Sequence, residues 1–410
     1  MNTEIVSKYR WVIMGVIWSA YIIVYVHRLS IGPLSPFLKA EWGLNSTQIG
    51  GLVSAATIGS MASAMPAGWW TDRFGIRRML LIGEIISGIF MLVMYLTPSY
   101  QMALILMGCT GFGAGFLMPS TTKGVLVWFP RRERALVMGV KQTSVNAGGM
   151  LSAAILPTLA LAMGWRFGFL IIGAVAISIG IISYVLYKDP PLANQSTPNE
   201  NSNSTSTSTS SSVPSLREFL KARDIWLVCL GTFCLIAVEF AVLAHLVLYL
   251  TEDLLFPVVT AGVLLALTES GGIVGKPLSG IVSDRIFGSS RKIVFMIWAG
   301  VACAACLALA FFGSSLSWGL YPVLFAFGVC GIGFGGLGLT LVGELSGIEL
   351  AGRVTAINSL IANAGIATGP LLFGYIVDTS GYYPAWLLCA ALAAVCMIAI
   401  RFVREERRRM

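Results

Sequence analysis

Gly68-Trp-Trp-Thr-Asp72-Arg73-Phe-Gly75-Ile-Arg77-Arg78 closes one apolar run and opens the next. Its pattern returns as Gly280-Ile-Val-Ser-Asp284-Arg285-Ile-Phe-Gly288-Ser-Ser-Arg291-Lys292. A second pair lies at the same offset: Arg134 with Asn146-Ala-Gly-Gly149, then Arg353 with Asn363-Ala-Gly365. Self-similarity at one offset marks a chain built from two like halves. Each copy sits between apolar stretches, so the repeating unit is a series of helices joined by basic loops.

Composition names the solvent of those helices. Hydrophobic residues make up 56% of the 410 and charged residues 11%, where a soluble domain carries about a quarter charged. Runs such as 13–26, 79–96 and 293–312 approach or reach the ~20 residues that span a bilayer core. The first run follows Lys8 and Arg10, leads into further spans and has no small-residue cleavage site, so no signal peptide is expected. The eight cysteines, Cys109, Cys229, Cys303 and Cys389 among them, lie in apolar segments without zinc-site or CxxC spacing. They are read as small packing residues, and neither metal nor cofactor is expected.

A net charge of +8 could suit nucleic acid, but the bases come in short clusters between apolar runs. Lys8 and Arg10, then Arg73, Arg77 and Arg78, then Arg131, Arg132 and Arg134 mark every second connection of the first half. Arg217, Lys221 and Arg223, then Arg285, Arg291 and Lys292, then Arg353, and finally the bases of 401–409 continue the series. The alternate connections at 43–47, 98–101 and 252–257 lack Lys and Arg. The positive-inside rule then puts both termini in the cytoplasm, and no nucleic-acid partner is expected. Helices are predicted at 11–34, 49–70, 78–96, 102–127, 135–161, 167–187, 225–250, 259–282, 292–313, 317–343, 354–377 and 383–402. This is an all-α membrane protein of twelve transmembrane helices: a six-helix bundle in 1–189, a flexible cytoplasmic linker in 190–215 and a second bundle in 216–410. The linker contains the serine-rich run 202–212, which buries too little apolar surface to order itself.

Parallel six-span halves with a solute site between them, and the loop GxxxDRxGxRR after the second and eighth spans, resemble the major facilitator superfamily. The resemblance covers the chain apart from the linker. It implies a monomeric secondary transporter in the cell membrane, the bacterial inner membrane in particular, working by alternating access. An aspartate among arginines at a helix end can make charge-assisted hydrogen bonds that hold one conformer closed. Gly68, Asp72, Arg73, Gly75, Arg77 and Arg78, with Asp284 and Arg285, are the candidate gate; a purely topological role for the arginines is the other reading.

Tyr21, Tyr25 and Arg28 follow one another at i, i+4 and i+7, so they project from one helix face. Arg28 either faces a wet cavity and takes the counter-charge of an anionic solute through bidentate bonds, or snorkels to headgroups from the outer helix end. Tyr25-Val-His27-Arg28-Leu-Ser30, Gly50, Pro66-Ala-Gly68, Asp72-Arg-Phe-Gly75, Pro119 and Trp128-Phe129-Pro130 with Arg134 look like the anion:cation symporter branch of that superfamily. The branch implies that the first-span arginine binds an organic anion, while a neighbouring aspartate and a fourth-span glutamate handle the coupling ion. Here His27 stands in the aspartate position, and the fourth span offers only Lys123.

A proton carrier is therefore sought in Glu239 and Glu269, each about halfway along its helix; desolvation lets a buried carboxyl exchange a proton. Either could instead be a hydrogen-bonded helix contact. His27 and His245 are titratable or interfacial. Lys123 and Lys141 are candidates for solute or gate, whereas Lys276 is expected to snorkel. Gln142 and Asn358, with Asn146 and Asn363, could bond a neutral part of the solute or a neighbouring helix. The glycine cluster 331–338 follows no strand, and no Walker loop, metal cluster or nucleophile with a base is found, so enzyme activity is not expected. The leading expectation is proton-coupled uptake of a small organic anion, a mono- or dicarboxylate or sugar acid. The alternatives are a proton-coupled multidrug exporter using Phe240 and Trp386, disfavoured because 139–157 lacks the glycine-proline pattern of such antiporters, and a membrane sensor on the same fold.

Overall fold

The computed structural model describes residues 8–188, 222–288 and 290–404, so the expected linker at 190–215 lies outside the described residues. The helices are α1 (Arg10–Arg28), α2 (Ile31–Trp42), α3 (Ser46–Phe74), α4 (Ile76–Met94), α5 (Tyr100–Ala114), α6 (Leu117–Trp128), α7 (Arg131–Met163) and α8 (Trp165–Leu186). After the linker come α9 (Arg223–Glu252), α10 (Val258–Ile281), α11 (Arg291–Phe312), α12 (Leu320–Phe327), α13 (Gly335–Ser380) and α14 (Tyr382–Arg401). Among the described residues, eleven helical stretches are long and apolar enough to cross a membrane, with α1 joining α2 and α5 joining α6 into single spans. The stretch Ile76–Met94 has a span's length too but carries Arg77, Arg78 and Glu84. The outer surface is apolar: Met65, Ile105, Leu136, Leu161, Val185 and Leu360 are all exposed, as a hydrocarbon surrounding requires.

Local signals set several ends. Asn45 accepts from the Gln48 backbone N–H at 2.8 Å while Gln48 accepts from the Asn45 N–H at 3.0 Å, a capping box that starts α3. Gly75 (φ 84°) joins α3 to α4, and Gly288 (φ 58°) holds the matching place in the second half. Gly164 (φ 87°) and Gly381 (φ 88°) form the next pair, joining α7 to α8 and α13 to α14. The repeat read from the charges thus recurs in backbone that side-chain-bearing residues rarely adopt.

Two expectations change. The first span runs on to Trp42 instead of ending near 34, because Pro33 falls in the first turn of α2, where its missing N–H costs nothing. The expected connection between 343 and 354 is helical, so that α13 is one 46-residue element. Helix formers such as Glu344, Leu345 and Leu350 continue the helix between its two apolar stretches.

α3 lies along α5 and α13, α4 along α8, α7 along α1 and α10, and α9 along α13 and α14. The halves therefore meet through α3 with α13, α7 with α10, and α2 with α9. Arg10, the 74–76 and 128–131 junctions, Arg223 and Arg401 share one face of the bundle, here called the terminal face. The 42–46, 95–100, 163–165, 252–258 and 380–382 junctions share the opposite one. Bonds between the halves cluster toward that opposite face. Asp378 accepts from the backbone N–H groups of Ser46 (2.7 Å) and Thr47 (2.8 Å) and from the Thr47 hydroxyl (2.6 Å). Lys39 pairs with Glu252 at 2.8 Å, and His245 Nε2 lies 3.0 Å from the Ser46 carbonyl. At mid-depth, Ser54 donates to the Ala367 carbonyl (2.5 Å) and Asn146 to Glu269 (2.6 Å). On the terminal side a cleft of about 470 Å³ opens between α3 and α6, lined by Gly68, Thr71, Asp72, Thr122 and Lys123 among others.

Candidate functional site

The break between α1 and α2 positions the arginine. α1 ends at Arg28, the Leu29 N–H bonds the Tyr25 carbonyl at 2.9 Å, and the Ser30 hydroxyl donates to the His27 carbonyl at 2.7 Å. A cation in the last turn also suits the negative end of the helix dipole. Arg28 is half-buried within the bundle, since the chain continues past it for another twelve-residue helix. Its Nη2 donates to Thr57 Oγ1 at 3.1 Å, and its guanidinium packs 5.4 Å from the Phe240 ring and 5.9 Å from the Tyr25 ring. Nε is buried without a hydrogen-bond partner. Thr57 already donates its own proton to the Val53 carbonyl at 2.9 Å, so it serves Arg28 only as an acceptor.

The face predicted for Tyr21, Tyr25 and Arg28 leads to a second cation. The Tyr21 and Tyr25 rings meet edge to face at 5.3 Å, and Lys141 Nζ lies 4.3 Å over the Tyr21 ring. Lys141 is 2% exposed and donates to Thr122 Oγ1 at 2.8 Å, while Thr122 in turn donates to the Met118 carbonyl at 2.8 Å. α7 starts at Arg131 rather than 135, which sets Lys141 nearly three turns deep, farther from the helix end than the sequence suggested.

Across the interface α9 presents Glu239 next to Phe240, and α10 presents Glu269 and Lys276, seven residues apart on one face. Both carboxylates are buried. Lys276 acts electrostatically on both, and Arg28 acts on Glu239 from the other half. Lys276, expected to snorkel, is half-buried, with the charges of Glu239 and Glu269 acting on it. Glu269 accepts the Asn146 bond from α7, and it packs against Gly149 so tightly that a side chain there would collide with its carboxyl.

The remaining candidates lie elsewhere. His27 is 2% exposed with Nε2 unpartnered, and helical geometry turns it away from the Tyr21–Tyr25–Arg28 face. His245 is fully buried at the opposite-face contact rather than interfacial. Lys123 pairs with Asp72 at 2.7 Å beside the terminal cleft. Gln142 is exposed, and Asn358 is wholly buried with both amide atoms unpartnered. In the candidate gate, Asp284 pairs with Arg291 at 2.5 Å, Arg73 packs over Trp69 and Phe74, and Arg77 bonds the Tyr184 carbonyl and covers its ring. Each aspartate is thus paired inside its own half. Among the described residues no cluster of His, Cys, Asp or Glu could hold a metal ion.

Sequence reasoning passed over Thr57 and Thr122, whose hydroxyls hold the two cations and which carry no distinguishing pattern. It also missed Glu84, 0% exposed with both carboxyl oxygens unpartnered on α4. A lone carboxylate within the apolar run 79–96 was the available signal.

A family profile described as Major Facilitator Superfamily matches residues 17–361. The chain is 26% identical to a probable sulfoacetate transporter of Cupriavidus necator, over 97% of this chain and 94% of that one. It is 25% identical to a hexuronate transporter of Bacillus subtilis, over 97% and 96%. In fold it resembles a bacterial homologue of the human lysosomal transporter Spinster, crystallised inward-facing and unoccupied, with a TM-score of 0.76 at 17% identity over 97% of both chains.

Proposed function

The chain belongs to the major facilitator superfamily and is a multi-pass membrane transporter, not an enzyme, and from that premise we propose that its solute is a small organic anion bound at Arg28 and moved with protons. The observation that carries this reading is Arg28 itself. It is a permanent cation inside the bundle whose described contacts are a hydroxyl and two ring faces, with Glu239 opposing it from a distance. Such a charge is costly unless it serves a ligand, and a guanidinium fork matches a carboxylate or sulfonate. Relatives named for sulfoacetate and hexuronate, both organic anions, support the same class.

Coupling follows from the charges around Arg28. An anion arriving there takes over the role of Glu239, so solute and proton each make the other's arrival more favourable, which is the reciprocity symport needs. Glu269 is the second proton site, and its Asn146 bond ties that proton to the α7–α10 contact that must change when the halves rock. With both termini cytoplasmic and twelve spans, the terminal cleft is the cytoplasmic entrance, and the Asp72 and Asp284 clusters close it in the other conformer. The chain works as a monomer.

The test is thermal stabilisation of the purified protein by carboxylates, sulfonates, sugar acids, neutral sugars and cationic drugs, because a ligand of the folded state raises its stability by mass action. Stabilisation by organic anions that Arg28→Gln abolishes is the expected result. Stabilisation by cationic drugs alone would overturn the reading in favour of an exporter.

A further inference from the structure

Arg28 and Lys141 are held in the same way. Each is gripped by one threonine hydroxyl that has already spent its proton on its own helix: Thr57 on the Val53 carbonyl, Thr122 on the Met118 carbonyl. Each also rests on a tyrosine of α1, Arg28 on Tyr25 and Lys141 on Tyr21. Lys123, which lines the terminal cleft, has a carboxylate instead, Asp72 at 2.7 Å. The described partners of Lys141 are a hydroxyl and a ring, and a guanidinium offers five N–H donors and an ammonium three. Both cations therefore keep donors uncommitted. Thr122 also lines the terminal cleft, so the buried Lys141 ammonium lies one hydrogen bond behind its wall.

We propose that Arg28 and Lys141 are the two poles of one solute site, and that the solute carries two anionic groups, carboxylate or sulfonate, one for each pole. This rests on the anion-carrier reading and narrows it from monoanions to dianions. Tyr21 and Arg28 are seven residues apart, about 10 Å of helical rise. A short acyclic dianion spans that interval with a charge-assisted hydrogen bond of ~2.8 Å at each end. The Tyr21 and Tyr25 rings, in edge contact between the poles, form the wall against which its carbon skeleton lies. A monoanion would satisfy Arg28 and leave the buried ammonium of Lys141 uncompensated, which is the term that discriminates against it.

The experiment compares matched probes on the purified full-length protein by calorimetric binding: galactarate against galactonate, and sulfoacetate against acetate. In the wild-type protein at least one dianion should bind about tenfold or more tighter than its monoanionic partner. Lys141→Gln should remove that preference, weakening the dianion and relieving the penalty on the monoanion. Lys141→Arg should retain most of it, and Arg28→Gln should weaken both members of a pair. Equal or tighter binding of the monoanions by the wild-type protein overturns the proposal and leaves the anion carrier standing, even if Lys141→Gln fails to fold. So does an unchanged preference in a folded Lys141→Gln. Binding by neither class removes the anion-carrier reading as well.

Discussion

At the scale of single residues, what matters about Arg28 is its shape as much as its charge. Lysine at that position keeps the charge and loses the planar fork, so it cannot keep Thr57 and present two parallel N–H groups to a carboxylate at once. Arg28→Lys should therefore weaken anion binding by about tenfold, against the near-complete loss expected of Arg28→Gln, as read from titration calorimetry. Equal losses in the two variants would mean that bidentate geometry plays no part. Glu239 belongs to a different test. Glu239→Gln keeps volume and hydrogen bonding but cannot ionise, so counterflow exchange of solute should persist while accumulation driven by a pH gradient disappears. Accumulation at the wild-type level in proteoliposomes would take Glu239 out of the coupling step. The sequence placed Arg28 and the two tyrosines on one face because helical periodicity alone does that. It did not reveal that Lys141 closes the row, since a contact between α1 and α7 spans 120 residues of chain and leaves no local signature.

At the scale of elements, the joints between helices are the constrained points. Gly381 has φ 88° and ψ −179°, and Gly164 has φ 87° and ψ 147°, a region open essentially to glycine alone. Gly381→Ala should cost ~1–3 kcal/mol of stability although a Cβ there would touch nothing within 4 Å, because the strain lies in the backbone and not in packing. Replacing the exposed, unstrained Ala356 by Gly is the control for a mere change in helix propensity. A thermal midpoint for Gly381→Ala equal to that of the parent would show that the joint relaxes. Most spans were legible because hydropathy averages over some twenty residues, and the same averaging explains the misses. It hid Glu84 within an apolar run, it ended the first span near 34, and it put a loop into α13 where the charged residues are helix formers. Lys276, expected to snorkel, is half-buried, and the carboxylate charges that act on it come from α9 and from its own helix.

At the scale of the whole molecule, the described bonds between halves favour one conformer. The Asp378 carboxylate sits at the N-terminus of α3 and takes three hydrogen bonds there, a place where helix dipole and exposed N–H groups both attract an anion. Lys39 with Glu252 and His245 with Ser46 join the same face. Alternating access requires all of these to part together, and they are made only in the conformer closed on that side. Removing them changes the balance between conformers rather than the fold of either half. Asp378→Ala deletes the charged acceptor and leaves the α3 N–H groups to water, so it should shift the balance toward opening of the opposite face by ~1.5–3 kcal/mol, about a tenfold to hundredfold change in population. Spin labels at the exposed positions Ala40 and Asp253, in a background freed of native cysteines, report that opening as a longer distance component. The component should grow in Asp378→Ala, and Asp378→Glu, which keeps the charge, should partly restore the parental distribution. An identical distribution in all three proteins would mean that the apolar and glycine contacts of α3 with α13 hold the face shut by themselves, and that Asp378 only caps a helix.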